Sequence, residues 1–290
     1  MPFIIKKVSN HGTSNPIVAR LGIQTSELIK FFPISEKQRE DIFGIFHQKI
    51  QPRLLQCYEL KENLLSELTK IGDEFKKERV STQSFGRVAT VPQVMRLSEN
   101  CENYLYNAKS FLRDLARIFE PLFGKKFTEA RYDKIYEWSK SQFGENDNLT
   151  AIIKQDHDLW IKKIVSMRNA VEHPGGYSGH LHIHNIEITF DSKTKEPILV
   201  QPTWQLNNEP RVPILNDLET YIWNLLEFAE DLLVLSFEKF DKKFPIVIAQ
   251  IPEKERDPKC PIRLRMTLKE GFIKKHKKAN YADVKNRAAD

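Results

Sequence analysis

SMRNAVEHPGGYSGHLHIH, residues 166–184, is where the chain changes its period. Up to this point Ile161, Ile164, Val165, Met167 and Val171 recur at helical spacing, which predicts a helix with one broad apolar face. Pro174-Gly175-Gly176 then stops it. Beyond the break His180, His182 and His184 alternate, and Ile186, Ile188 and Phe190 continue the same parity, as on one side of a strand. Asp191 to Pro197 reads as a turn and Ile198 to Trp204 as a returning strand, so a hairpin is expected. Helical stretches lie on both sides of this hairpin. The fold class predicted is mainly α, a helical bundle carrying one or two small β-hairpins.

Outward from this stretch, the helical pattern dominates. Ser35-Glu36-Lys37-Gln38 approximates a capping box, and Ile42, Phe46, Ile50, Leu54, Leu55, Leu64, Leu68 and Ile71 follow at helical spacing. Pro52 falls inside that run and predicts a kink. A second helix is expected from Pro92 to about Phe123, opened by the proline and closed by Pro121 and Gly124. Helices at 129–143 and 150–171 flank the breaker GENDN, and Pro213 opens another through about Phe240. Pro2 to Val8 reads as a short strand, His11 to Pro16 as a loop. Ile262, Leu264, Met266 and Leu268 alternate with polar residues, as in a half-buried strand near the C-terminus. His47 reads as a satisfied core histidine, and Tyr132, Tyr136, Trp138 and Phe143 as core aromatics.

Chemistry concentrates at the helix end. Arg168 and His173 are five residues apart, about 140° around an unbroken helix, so they would not share a face. Proline follows His173, however, and the residue before a proline is pushed out of the α region. His173 is therefore expected at or just past the end of the helix, able to turn toward Arg168. A guanidinium for charge, the Asn169 amide for orientation and an imidazole for proton transfer suit a phosphodiester. The competing reading is structural: His173 caps the last carbonyls and Arg168 pairs with an acid such as Glu172.

Arg168, Asn169 and His173 form R-N-x-x-x-H at a helix end among other helices, and in this the chain resembles the HEPN superfamily of ribonucleases. The resemblance covers roughly residues 92–243. It implies an antiparallel helical bundle that dimerises, with two copies of the motif forming one metal-independent endoribonuclease site and no cofactor. Arg168, Asn169 and His173 would be the catalytic residues. It also implies a toxin or defence effector, with an antitoxin protein as a candidate partner. A homodimer meets a chemical need as well, because one histidine cannot easily act as base and acid at once. In this scheme residues 1–91 are an N-terminal helical region, 92–243 the HEPN-like bundle with its hairpin inserted at about 180–204, and 244–290 short strands and a basic tail.

Composition narrows the alternatives. The net charge of +6 is concentrated at the C-terminus, where residues 259–290 hold ten Lys and Arg against three Asp and Glu. Lys274, Lys275, Lys277 and Lys278 are the candidate RNA-binding residues there, against the plainer reading of a solvated tail. Three scattered cysteines suggest neither a disulfide framework nor a cysteine-type zinc motif, which fits a cytoplasmic protein. No run is apolar enough for a signal peptide or a membrane span. Two other functions stay open. One is a non-catalytic helical module binding RNA or protein. The other is a metal-dependent hydrolase using His180, His182 and His184.

Overall fold

In the computed structural model the described residues are 10–81, 91–194, 196–240 and 246–268. The expected strand at Pro2 to Val8 lies outside them. The first helix, α1 (Pro16–Val18), starts where Asn15 accepts the Ile17 N–H at 2.9 Å, with Pro16 preset for the first turn. A π-helical turn, Ala19–Gln24, joins it to α2 (Thr25–Ile29). At α3 (Glu36–Phe43) the capping box is complete: Ser35 Oγ accepts the Gln38 N–H, and Gln38 Oε1 accepts the Ser35 N–H at 2.9 Å.

Pro52 is accommodated without breaking the run. A π-helical stretch, Gly44–Ile50, passes into α4 (Gln51–Ser81), and the Gln51 N–H reaches back to the Phe46 carbonyl. The proline lacks an N–H and sits just where the bonding pattern changes, so little is lost there.

The next helix does not start at Pro92. It starts at Leu97 (α5, Leu97–Leu115), after Arg96 takes a left-handed conformation at φ 56°. Asn185 explains the delay. Its Oδ1 accepts the Val94 N–H at 2.9 Å and its Nδ2 donates to the Val94 carbonyl at 2.8 Å. Both backbone groups of Val94 are thereby withheld from a helix. A short 3₁₀ turn at Ala116–Ile118 leads into α6 (Phe119–Phe123), which Gly124 ends at φ 69°. Then follow α7 (Tyr132–Phe143), α8 (Asn148–Asp156, capped by Asp147), a π-helical turn at His157–Ile161 and α9 (Lys162–Glu172).

The hairpin that follows is longer and more divided than expected. Strand β1 (Leu181–His184) pairs with β4 (Thr203–Leu206), and β2 (Glu187–Phe190) pairs with β3 (Pro197–Val200), both antiparallel. The same register runs through both ladders. They separate where Asn185 turns to Val94 and where Ile186 is buried, its carbonyl accepting from Gln93 Nε2 at 3.0 Å. Asp191 Oδ1 closes the turn by accepting the Lys193 and Thr194 N–H groups. The two-residue strand β5 (Val212–Pro213) adds to β4 and leads into α10 (Ile214–Phe237). Strand β6 (Ile246–Gln250) pairs with β7 (Leu264–Leu268), the C-terminal strand that the alternation predicted.

The protein is thus mainly helical, with small antiparallel sheets. One apolar core runs from Ile17 through Phe237. Tyr104 ties α5 to α10 by donating to the Leu218 carbonyl at 2.8 Å, and buried Trp204 ties β4 to Asp217 on α10 at 2.8 Å. His47 packs on Phe43 and hydrogen-bonds Gln51, and Trp138 packs edge-on to Phe119, Phe127 and Phe143, so these rings are structural. Among the described residues no helix is long and apolar enough to cross a membrane.

Asp156, at the end of α8, carries a testable consequence. Burial pushes its carboxyl above the usual range, against the opposing hydrogen bond from Trp160 Nε1 at 2.8 Å. A carboxyl raised in the folded state favours folding when protonated, so its cost is absent below the unfolded value of about 3.9 and grows as pH rises through the folded one. Asp156→Asn keeps an acceptor for Trp160 and removes the buried charge. Its melting temperature should exceed the wild-type value at pH 7, with the gap closing by about pH 4. Melting curves across that range check the sign.

Candidate functional site

Helix α9 ends as the sequence requires. The His173 N–H bonds the Asn169 carbonyl at 2.8 Å, and the residue itself leaves the helix at φ −136°, ψ 73°. Pro174 follows, and Gly175 takes φ 76°. The chain then folds into a tight turn, with Gly175 N–H on the Gly179 carbonyl and Gly179 N–H on the Gly176 carbonyl, both at 2.9 Å. Gly179 has no substitute: a Cβ there would lie 1.8 Å from Asn207 Oδ1, which accepts the His180 N–H. The turn leaves Tyr177 fully exposed at its tip. The His173 ring is exposed too, and no hydrogen bond to it is made among the described residues.

Arg168 is held from two directions. Its Nη2 lies 3.1 Å from Glu172 Oε1, one turn on. Its guanidinium sits 5.6 Å from the centre of the Tyr106 ring, which also carries Arg53 at 5.4 Å. Its Nε is buried without a hydrogen-bond partner among the described residues. Lys109, on the neighbouring α5, reaches across to α9 and donates to Asn169 Oδ1 at 2.7 Å and to Glu172 Oε2 at 2.9 Å. One carboxylate therefore serves two cations. The Lys109 hydrogen bond is the main reason the Glu172 carboxyl is held below its ordinary value; Arg168 and His173 add smaller charge effects. The sign follows: this pair stabilises the fold above about pH 4.3, the unfolded value, and stops doing so as pH falls through the folded one.

These groups border a cavity of about 510 Å³ between α5, α9 and the segment before α7. Tyr106, Lys109, Ser110 and Arg113 come from α5, Glu129 to Arg131 from the segment, and Val165, Arg168, Asn169 and Glu172 from α9. Arg131 is paired with Asp133 at 2.8 Å, and Arg113 with Asp114 at 3.2 Å, a carboxylate that also meets Arg117 at 3.6 Å. His173 is not in the lining; it stands one residue beyond Glu172, outside the cavity. The structure thus brings Arg168 and Asn169 together in the lining of one cavity and leaves His173 outside it.

The other sequence candidates fall elsewhere. The rings of His180 and His182 lie 6.1 Å apart, as strand parity predicts, while His184 has a buried Nε2 with no hydrogen-bond partner among the described residues. Among the described residues no three His, Cys, Asp or Glu side chains stand where they could hold a metal ion. Lys274, Lys275, Lys277 and Lys278 lie outside the described residues.

Lys109 and Tyr106 were not anticipated. A signal existed: Tyr106, Lys109 and Arg113 recur at three and four residues along the polar side of α5, a stripe that contrasts with its apolar face. What the stripe opposes could be known only from packing. Comparison with known protein families, curated proteins and solved structures finds no match to this chain.

Proposed function

We propose that the protein is a metal-independent endoribonuclease of the HEPN type. The observation that carries this reading is an exposed imidazole, free of hydrogen bonds to other described residues, one residue past a cavity that holds Arg168 and Asn169. In the proposed reaction the ribose 2′-oxygen attacks the neighbouring phosphorus and the 5′-oxygen leaves, giving a 2′,3′-cyclic phosphate. His173 takes the proton from the 2′-hydroxyl. Arg168 stabilises the charge that builds on the phosphoryl oxygens. Asn169 uses its Nδ2 to orient one of them, since Lys109 already occupies its Oδ1. The leaving 5′-oxygen needs a proton as well, and His173 of a second copy in a homodimer would supply it. A toxin or defence role, restrained by an antitoxin protein, is part of the same proposal.

A second reading has its own support. The Arg168–Glu172 pair and the place of His173 outside the cavity favour a module that binds phosphodiesters without cutting them. The two differ in one experiment. RNA oligonucleotides incubated with the protein in EDTA should be cut, and the same sequences made of DNA should not. Intact RNA would leave the binding module, and cutting that stops in EDTA and returns with zinc would point to the histidine strand.

A further inference from the structure

We infer that the space between Lys109 and Arg168 is a binding site for one backbone phosphate, and that Glu172 occupies it as an internal counter-anion that the nucleic acid displaces. The inference rests on the reading above for its class of ligand, a phosphodiester, and does not require cleavage.

The charge arrangement is the starting point. Arg131 pairs with Asp133 and Arg113 shares Asp114 with Arg117, whereas Lys109 and Arg168 converge on the one carboxylate of Glu172, which lines the cavity with them. Glu129 also lines the cavity and works against an incoming anion. Even so, the Lys109–Arg168 pair carries one positive charge in excess of Glu172. Arg168 also keeps a buried Nε without a partner among the described residues, a donor whose desolvation those residues leave uncompensated. A phosphate here would present two unesterified oxygens, a match to a guanidinium and an ammonium that already converge on one carboxylate.

Displacement is feasible for this particular glutamate. Glu172 is the last residue of α9, and its side chain is about one-third exposed. The backbone leaves the helix at the next residue, so the carboxylate can swing into water without disturbing a helical neighbour. Arg168 would keep its position, because the Tyr106 ring holds it independently of Glu172. The cost of binding is then one carboxylate pair exchanged for one phosphate pair, with a new partner for the Arg168 Nε in addition.

The expected consequence runs against the usual effect of breaking an ion pair. Glu172→Gln should bind nucleic acid more tightly, because the competitor loses its charge. The probe is a fluorescent single-stranded oligodeoxynucleotide, which lacks the 2′-hydroxyl, so binding is read apart from cleavage. Glu172→Gln should lower its Kd by about two- to fivefold at low salt, the range of a partly exposed ion pair. Lys109→Gln should weaken binding and reduce the slope of log K against log salt by about 0.7, the value for one lost phosphate contact on a single strand. Weaker or unchanged binding by Glu172→Gln, a Lys109→Gln slope equal to wild type, or no binding by any form would overturn the inference. Tight binding with these shifts but no cleavage of RNA would leave it standing and remove the ribonuclease reading instead.

Discussion

Replacing His173 by alanine is expected to slow RNA cleavage by about 10²-fold or more, the usual contribution of a general acid or base, without changing stability. The second half of that statement comes from the structure. The ring is exposed and makes no hydrogen bond to the described residues, so its loss removes no packing and leaves no orphaned partner. Arg168→Ala should reduce cleavage to a similar degree through lost charge stabilisation. It is the less clean of the two, since it also uncovers Tyr106 and leaves Glu172 with Lys109 alone. Single-turnover cleavage beside a thermal melt followed by circular dichroism separates the effects. A His173→Ala variant that cuts at the wild-type rate would end the catalytic assignment.

The largest effect on stability is expected at Glu230, far from that site. Glu230 is almost fully buried on α10. Its Oε1 accepts from Arg20 Nε at 2.8 Å and from Gln24 Nε2 at 2.6 Å, its Oε2 meets Arg20 Nη2, and Arg263 Nε lies 2.9 Å from that same oxygen. Gln24 completes the cluster by accepting the backbone N–H groups of Arg263 and Leu264, both at 2.7 Å. Among the described residues, Glu230→Ala would leave the two buried guanidiniums with only the partly exposed Asp231 and Glu227 as acidic partners. Breaking a buried pair in this way costs about 3–5 kcal/mol, a large part of a domain's stability. Glu230→Gln keeps an acceptor and should cost less. Urea unfolding of the three proteins measures this; a loss for Glu230→Ala under about 1 kcal/mol would mean that water or local repacking reaches both arginines.

These two sites also mark how far a sequence can be read. Where structure is local, the residues announce it. Ser35 and Gln38 are three apart and form the capping box; Pro213 precedes α10; strand parity puts His180 beside His182. Local rules failed where a distant group intervened. Pro92 would suit a first helical turn, but Asn185 captures Val94 from across the fold and delays α5 to Leu97. The same asparagine interrupts the hairpin that alternation predicted as continuous. The helical period likewise does not reveal the π-helical turns, because each is only five to seven residues long, shorter than the window over which a period is read.

The candidate site divides in the same way. Arg168, Asn169 and His173 are legible because they lie within six residues at a helix end. Lys109 is 60 residues from Asn169, and only the packing of α5 on α9 makes it a partner. Arg20 and Glu230, 210 residues apart, carry no pairwise signal at all. Distance in sequence is therefore what separated the groups that could be foreseen from those that could not.

RNA cut by its own 2′-hydroxyl at this helix end would carry a chemical signature. That signature lies in the new ends. Mass spectrometry of a short RNA after incubation with the protein in EDTA should find a 2′,3′-cyclic phosphate on one fragment and a 5′-hydroxyl on the other. Fragments ending in a 3′-hydroxyl and a 5′-phosphate, or RNA that stays intact, would contradict attack by the 2′-hydroxyl.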